Sequence, residues 1–342
     1  MKEALFYEKR EGKTVRCMLC RHHCAIGDGK RGICGVRENK DGTLYTLVYA
    51  LPCSYHVDPI EKKPLFHFYP GSRAFSIATA GCNFQCLHCQ NHDISQMPRE
   101  AQRIYGERME PSEVVKLAEQ SDCRSISYTY TEPTIFYEYA LDIARLAKEK
   151  GIANNFVTNG YIEDEPLTTI RPYLDAANID LKGFNESFYR KICKAELSAV
   201  LDTIRSYKRL GIWIELTTLI IPGHNDGDEE FRSIARFIRD ELGPETPWHV
   251  SAFYPTYKLR EPPRTKPGTL ARAREIGLRE GLRYVYEGNI PGSDGEHTYC
   301  YQCGKPVIKR FGFTIADYRI KDGACVYCGA AIDGIGLDKG SQ

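Results

Sequence analysis

From residue 73 to about residue 285 the sequence alternates short apolar runs with longer amphipathic ones, and this alternation limits the fold more than any other feature. Runs with strand character fall at 74–80, 125–130, 155–158, 177–181, 213–219 and 248–252. Helical periodicity lies between them. The stretch 111–120 opens on Pro111, where proline is tolerated at a first helical turn, and 134–150 places Ile135, Tyr139, Ile143, Leu146 and Ala147 on one face before Gly151. Val200, Ile204 and Tyr207 mark a third helix, and Phe231, Ile234, Phe237, Ile238 and Leu242 a fourth. Short strands separated by helices mean βα units around a parallel sheet, so the class is α/β. About six units are countable, fewer than a closed eight-fold barrel needs. A further βα-like piece, 270–280 then 282–285, extends the edge.

In such sheets the active site lies at the C-terminal ends of the strands, and polar residues collect there. Thr131-Glu132-Pro133 follows the second strand and Thr158-Asn159-Gly160 the third; Asp180-Leu181-Lys182 closes the fourth. Ile221-Pro222-Gly223-His224-Asn225-Asp226 follows the fifth, and His249 and Tyr254 lie around the sixth. Glu132 is suited to accept hydrogen bonds from an ammonium, or to serve as a helix-start carboxylate. Asn159-Gly160 also reads as a plain turn, Asp180 and Lys182 as a local ion pair, and His249 as a packed strand residue.

Eleven of the 14 cysteines fall in three spaced groups; Cys53, Cys123 and Cys193 stand alone and are expected to be small buried hydrophobes. Directly after the first strand of the alternating region comes Gly81-Cys82-Asn-Phe-Gln-Cys86-Leu-His-Cys89. Spacings of three and two let all three sulfurs turn toward one point, as a metal or iron–sulfur centre requires. A [4Fe–4S] cubane on three cysteines leaves one iron without a protein ligand, and an open iron is a place for chemistry. The alternatives are a Cys3His zinc site using His92, or unligated thiols. Cys17, Cys20, Cys24 and Cys34, with glycines among them, make a second metal module, for zinc or a second iron–sulfur cluster, with His22 or His23 as substitute ligands. Cys300, Cys303, Cys325 and Cys328 form two CxxC knuckles, each followed by Gly, the pattern of a four-thiolate zinc ribbon or rubredoxin-like iron.

The CxxxCxxC loop after a first strand resembles the radical S-adenosylmethionine (SAM) superfamily. Cys89-Gln90-Asn91, Thr158-Asn159-Gly160 and Asp180-Leu181-Lys182 resemble motifs of its glycyl-radical activating enzymes. The stretch 58–71, the loop and Ile94-Ser95 together resemble the radical SAM member of the AmmeMemoRadiSam system. These resemblances imply a partial (β/α)6 barrel in which Cys82, Cys86 and Cys89 hold a [4Fe–4S] cluster whose open iron is chelated by the amino and carboxylate groups of SAM. They imply reductive SAM cleavage to a 5′-deoxyadenosyl radical, with Glu132, Asn159, Asp180, Lys182, His224 and His249 as candidate SAM contacts. The activating enzymes carry a carboxylate before TNG that helps hold a cation; Val157 stands there in this chain. Implied partners are a one-electron reductant such as flavodoxin or ferredoxin, and Memo-like and Amme-domain proteins.

The expected organisation is an N-terminal Cys-rich module and lead-in (1–72), a radical SAM barrel (73–290) and a C-terminal four-Cys module (291–342). At 342 residues with 42% hydrophobic and 27% charged residues, the chain has ordinary globular composition. No apolar run approaches the ~18 residues of a membrane span, and the first residues lack a signal peptide's apolar core. A cytoplasmic location is therefore expected. Net charge is +1, but 258–321 carries 13 Lys and Arg against 7 Asp and Glu, which leaves nucleic-acid contact open. The proline-rich stretch 58–71 reads as a solvated loop, with Lys62, Lys63 and His67 facing water or an anionic ligand.

Overall fold

The computed structural model describes residues 1–338; residues 339–342 of the expected C-terminal module lie outside them. The chain divides into two compact units, both discontinuous in sequence. The first comprises residues 1–58, 74–175 and 198–212, the second residues 59–73, 176–197 and 213 onward.

In the first unit four strands lie in the order β1 (Pro52–Pro59), β2 (Arg73–Thr79), β3 (Ser125–Tyr128) and β4 (Ala153–Thr158). The pairs β2–β3 and β3–β4 are parallel. They are covered by α1 (Pro111–Gln120), α2 (Tyr137–Glu149) and α3 (Leu197–Arg209). The buried positions of α2 include Tyr139, Ala140, Ile143, Ala144 and Ala147, the i, i+3, i+4 stripe of a helix lying on a sheet. Gly151, at φ +70°, supplies the left-handed residue that ends it. The expected helix at 134–150 begins as a 3-10 turn, Pro133–Phe136, and becomes α-helical at Tyr137. Ahead of β1, two small antiparallel sheets hold the N-terminal cysteines: Tyr7–Lys9, Val15–Cys17 and Ala25–Ile26 in one, Lys2–Glu3, Arg37–Lys40 and Thr43–Thr46 in the other. The chain turns between Thr46 and the start of β1 at Pro52, where Ala50 takes φ +54°.

The second unit repeats the pattern with β5 (Ala176–Asp180), β6 (Trp213–Ile220), β7 (Trp248–Ala252) and β8 (Val285–Gly288), parallel throughout. Helices α4 (Asp228–Phe237) and α5 (Pro267–Arg279) connect the last three strands. Trp248 is fully buried and its Nε1–H donates to Thr218 Oγ1 at 3.0 Å. A Cβ on Gly277 of α5 would stand 3.1 Å from that indole and 2.9 Å from Val285, so this helix approaches its strands only because the position is glycine. The edge strand expected at 282–285 runs three residues later, because 282–284 form the turn out of α5.

Segment 59–73 corrects the sequence reading. It is irregular apart from the 3-10 turn Ile60–Lys62, and most of it is not solvated: Glu61, Lys63 and His67 are each 1% exposed, while Lys62 is exposed as expected. Its backbone N–H groups at Phe66 and His67 donate to the Glu215 carboxylate of β6 at 3.0 and 2.8 Å. That pairing lets a segment with little regular structure be buried without orphaned backbone donors. The unit ends in a small module built on the antiparallel pair β9 (Pro306–Phe311) and β10 (Thr314–Tyr318). Among the described residues its buried core is Val307, Ile308, Ile320, Ile332 and Leu337 with two cysteines and an alanine, and Ile315 and Tyr318 pack against it. A core this small ordinarily needs a metal staple. Cys123 and Cys193 are buried as expected, whereas Cys53 is half-buried.

Candidate active site

The loop that follows β2 has no regular structure over 81–90, which leaves its thiols free to converge. Gly81 is required on two grounds. It has φ +108°, and a Cβ there would meet Val36 at 2.8 Å and the Cys34 carbonyl at 3.1 Å. Cys86 is buried and Cys82 and Cys89 are half-buried. Cys82 Sγ accepts from the Phe84 N–H at 3.4 Å and from Asn159 Nδ2 at 3.8 Å, while Cys89 Sγ lies 3.2 Å from Ser95 Oγ. Burial, then the Glu132 carboxylate and the neighbouring thiols, push the Cys82 thiol well above its ordinary range. An ionised sulfur here therefore calls for a bound cation. Three thiols with amide donors aimed at a sulfur suit an iron–sulfur cluster.

The turn after β4 meets this loop. Asn159 Nδ2 donates to Asn83 Oδ1 at 2.8 Å, Asn83 Nδ2 to the Tyr161 carbonyl at 3.2 Å, and the Tyr161 N–H to Asn159 Oδ1 at 3.1 Å. Glu132 is 1% exposed and already holds four donors. One oxygen accepts from the Thr134 N–H, the Thr134 hydroxyl and the Thr158 hydroxyl at 3.0, 2.7 and 2.7 Å; the other accepts from the Asn159 N–H at 2.8 Å. Burial raises its carboxyl pKa despite these donors. Glu132 thus ties the residues after β3 to the turn after β4 and fixes Asn159 beside Cys82. Asn83 carries much of this geometry and was not singled out from sequence; its place directly after a cysteine was the available signal.

In the second unit Asp180 ends β5 and pairs with Lys182 Nζ at 2.9 Å. Asn225 locks the 221–226 turn beside them. Its Oδ1 accepts from the Ile221 N–H at 2.6 Å, and its Nδ2 donates to the carbonyls of Lys182 and Leu219 at 2.8 and 2.9 Å. His224 is exposed, its ring 6.5 Å from that of Phe188. His249 is placed differently. Its Nε2 lies 2.7 Å from Glu215, its ring stacks on Tyr286 at 5.1 Å and meets Phe66 edge-on at 4.8 Å, and it is 3% exposed. Around it Glu215 is fully buried with its carboxyl pKa lowered: burial opposes ionisation, and the His249 hydrogen bond, neighbouring imidazoles and backbone donors outweigh it. A Glu inside the apolar strand sequence WIELTTLI was the signal for this network.

Cys300, Cys303, Cys325 and Cys328 bring their sulfurs within 4.8 Å of one another. Cys303, exposed, is pulled down to about 7, first by the Lys305 backbone N–H. The N-terminal foursome instead lines a cavity together with Leu19, Ile26 and Arg37.

Residues 76–238 match the family model of the radical SAM superfamily. The chain belongs to the radical SAM superfamily. It is therefore an enzyme, and membership of that superfamily implies SAM and a [4Fe–4S] cluster as cofactors. The chain is 50% identical over 335 residues to the uncharacterized protein MJ0808 of Methanocaldococcus jannaschii, covering 97% of this chain and 99% of that protein. It is also 22% identical over 175 residues to the pyruvate formate-lyase 1-activating enzyme of Escherichia coli, covering 50% of this chain and 70% of the relative. Among solved structures, a radical SAM methyltransferase from Sphaerobacter thermophilus aligns with TM-score 0.50 at 16% identity, covering 67% of this chain and 71% of that one, a likeness of fold. Among the described residues no helix is long and apolar enough to cross a membrane.

Proposed function

We propose that this radical SAM enzyme cleaves SAM at a [4Fe–4S] cluster held by Cys82, Cys86 and Cys89. The observation that carries the reading is the three-cysteine loop after β2, where two amide donors point at Cys82 Sγ, the Ser95 hydroxyl lies against Cys89 Sγ, and Asn159, held by Glu132, reaches the loop from the turn after β4. With SAM bound and one electron supplied, such a cluster furnishes a 5′-deoxyadenosyl radical for hydrogen abstraction. The chain's own part is to bind, orient and exclude water. Asn159, held by Glu132, donates toward Cys82; Ser95 sits against Cys89; buried Phe84 and Tyr161 pack edge to face beside the loop and keep it dry.

Asp180, Lys182 and the 221–226 turn with His224 are the second unit's candidate SAM contacts. Within that set Asn225 is a positioning residue. His249 is better assigned to the scaffold, since Glu215, Phe66 and Tyr286 enclose it. The C-terminal thiols hold zinc, and the required reductant is a flavodoxin or ferredoxin.

The first substrate reading is activation of a glycyl-radical enzyme, supported by the Cys-x-Asn, TNG and DLK matches and by the similarity to a pyruvate formate-lyase activating enzyme. The second is the AmmeMemoRadiSam role beside Memo-like and Amme-domain proteins, supported by residues 58–71. Anaerobic reconstitution with dithionite and SAM should yield 5′-deoxyadenosine and methionine. Cys82→Ala, Cys86→Ala and Cys89→Ala should each abolish both products; formation that persists in all three variants would sink the assignment. Deuterium transfer from a candidate substrate into 5′-deoxyadenosine then separates the two substrate readings.

A further inference from the structure

We propose that Cys17, Cys20, Cys24 and Cys34 hold a second iron–sulfur cluster that feeds electrons to the central cysteine loop. The inference rests on the reading of Cys82, Cys86 and Cys89 as cluster ligands. Three independent observations lead to it.

The first is the shape of the thiol set. A single tetrahedral ion with bonds of about 2.3 Å draws its four sulfurs to roughly 3.8 Å apart. The C-terminal foursome meets that condition, with Cys300 and Cys328 at 3.6 Å and Cys303 and Cys325 at 3.8 Å. The N-terminal four surround a cavity whose remaining walls are largely apolar, including Leu19, Ile26 and Ile135. Thiolates of a cubane hang from the corners of a four-iron body and need such a space between them.

The second is a wall shared with the central loop. Asn83, directly after Cys82, lines the same cavity. His22, between Cys20 and Cys24, places Nε2 2.9 Å from the Asn83 carbonyl. One guanidinium, Arg99, donates to the Ile33 carbonyl at 2.8 Å, next to Cys34, and to the carbonyl of Cys82 itself at 3.1 Å. The Cys34 carbonyl stands 3.1 Å from where a Gly81 Cβ would be. His22 thus touches the backbone directly after Cys82, Arg99 bridges a carbonyl beside Cys34 to that of Cys82, and the chain at Cys34 runs close against Gly81. Zinc, which has no redox chemistry, would make no use of this contact.

The third is donation to sulfur. Arg37, 1% exposed and paired with Glu138, donates to Cys17 Sγ at 3.3 Å, and the Ile33 N–H donates to Cys24 Sγ at 3.5 Å. Such bonds set the potential of a cluster.

The step is a pure electron transfer. A low-potential one-electron donor of the flavodoxin or ferredoxin class is oxidised by one electron, and the N-terminal cluster is reduced and then reoxidised as the same electron enters the central cluster. No bond is made or broken.

The test uses the full chain, reconstituted anaerobically with iron and sulfide, beside Cys24→Ser and the triple variant Cys82→Ala/Cys86→Ala/Cys89→Ala. Wild type should hold about eight irons in two cubanes, and each variant about four. In electron paramagnetic resonance of the reduced proteins, SAM should shift the signal kept by Cys24→Ser and leave the signal kept by the triple variant unmoved. Reduction of the central cluster by flavodoxin should fail in Cys24→Ser while dithionite still reduces it. Should Cys24→Ser not fold, the triple variant decides alone: retained iron of about four supports the proposal, and an iron-free triple variant with zinc at the N-terminal site overturns it. A triple variant that keeps all of its iron would instead count against the central-loop reading.

Discussion

Two sets of four cysteines frame this chain, with the same donor atoms and different surroundings. The C-terminal set closes on itself, with sulfurs within 4.8 Å, beneath exposed knuckles that carry Tyr301 and Tyr327. Its module is anchored through polar groups: Arg310 donates to the Phe66 carbonyl and to Thr298, and His67 bridges Tyr286 and the Asp333 carbonyl. The N-terminal set lines a cavity and is anchored to the central cysteine loop by His22 and Arg99. On the assignments proposed above, ligand identity does not separate a folding staple from a redox centre; what the set is packed against does.

The largest effect expected from this contrast is on electron delivery. Cys20→Ser should end 5′-deoxyadenosine formation driven by flavodoxin, whereas Cys328→Ser should lose about one zinc, as a four-thiolate site binds one ion, and keep SAM cleavage. Equal losses in an activity assay, with metal content measured alongside, would erase the distinction between the two sets.

Next comes the anchoring of the second unit. Glu215→Ala removes the acceptor for Phe66, His67 and His249 and opens a cavity, so it should cost about 3–5 kcal/mol in a denaturant titration. The zinc count of folded protein should stay unchanged.

The pH dependence should be somewhat smaller. Burial lowers the pKa of His67 to about 4, and its neutral ring fits its neighbours: Nδ1–H donates to the Asp333 carbonyl and Nε2 accepts from Tyr286. The unfolded imidazole takes up its proton near pH 6.5, so below that pH the unfolded state binds more protons and stability falls until about pH 4. The loss approaches roughly 3 kcal/mol, and His67→Gln should flatten that slope in thermal melts between pH 7 and 4. An unchanged slope would show that acid sensitivity arises elsewhere. The smallest effect belongs to Phe313→Ser at the 50% exposed tip between β9 and β10, within about 0.5 kcal/mol of wild type in the same melts.

The parallel strands and covering helices were legible because local rules suffice for them: apolar runs such as 213–219, proline at the start of α1, glycine after α2. The C-terminal cysteine set was legible from its CxxC spacing. Residues 59–71 were not, since three prolines and three charges read as solvent when their partners lie far along the chain. Glu215 is 149 residues from Phe66, and Arg310 is 244. His249 read both as a packed strand residue and as a SAM contact, and its polar partner was hidden for the same reason, since Glu215 sits on another strand. The place of Glu132 after a strand was legible, but the four donors that occupy it converge only in the folded chain.

The central claim is that the three-cysteine loop leaves an iron open for SAM. Electron–nuclear double resonance of the reduced, reconstituted full chain with SAM labelled at its amino nitrogen and carboxylate carbon tests this directly. Coupling of both labels to the cluster signal is expected, and its loss in Cys86→Ala together with that signal. A reduced cluster in the wild-type chain that shows no coupling to either label would contradict the account.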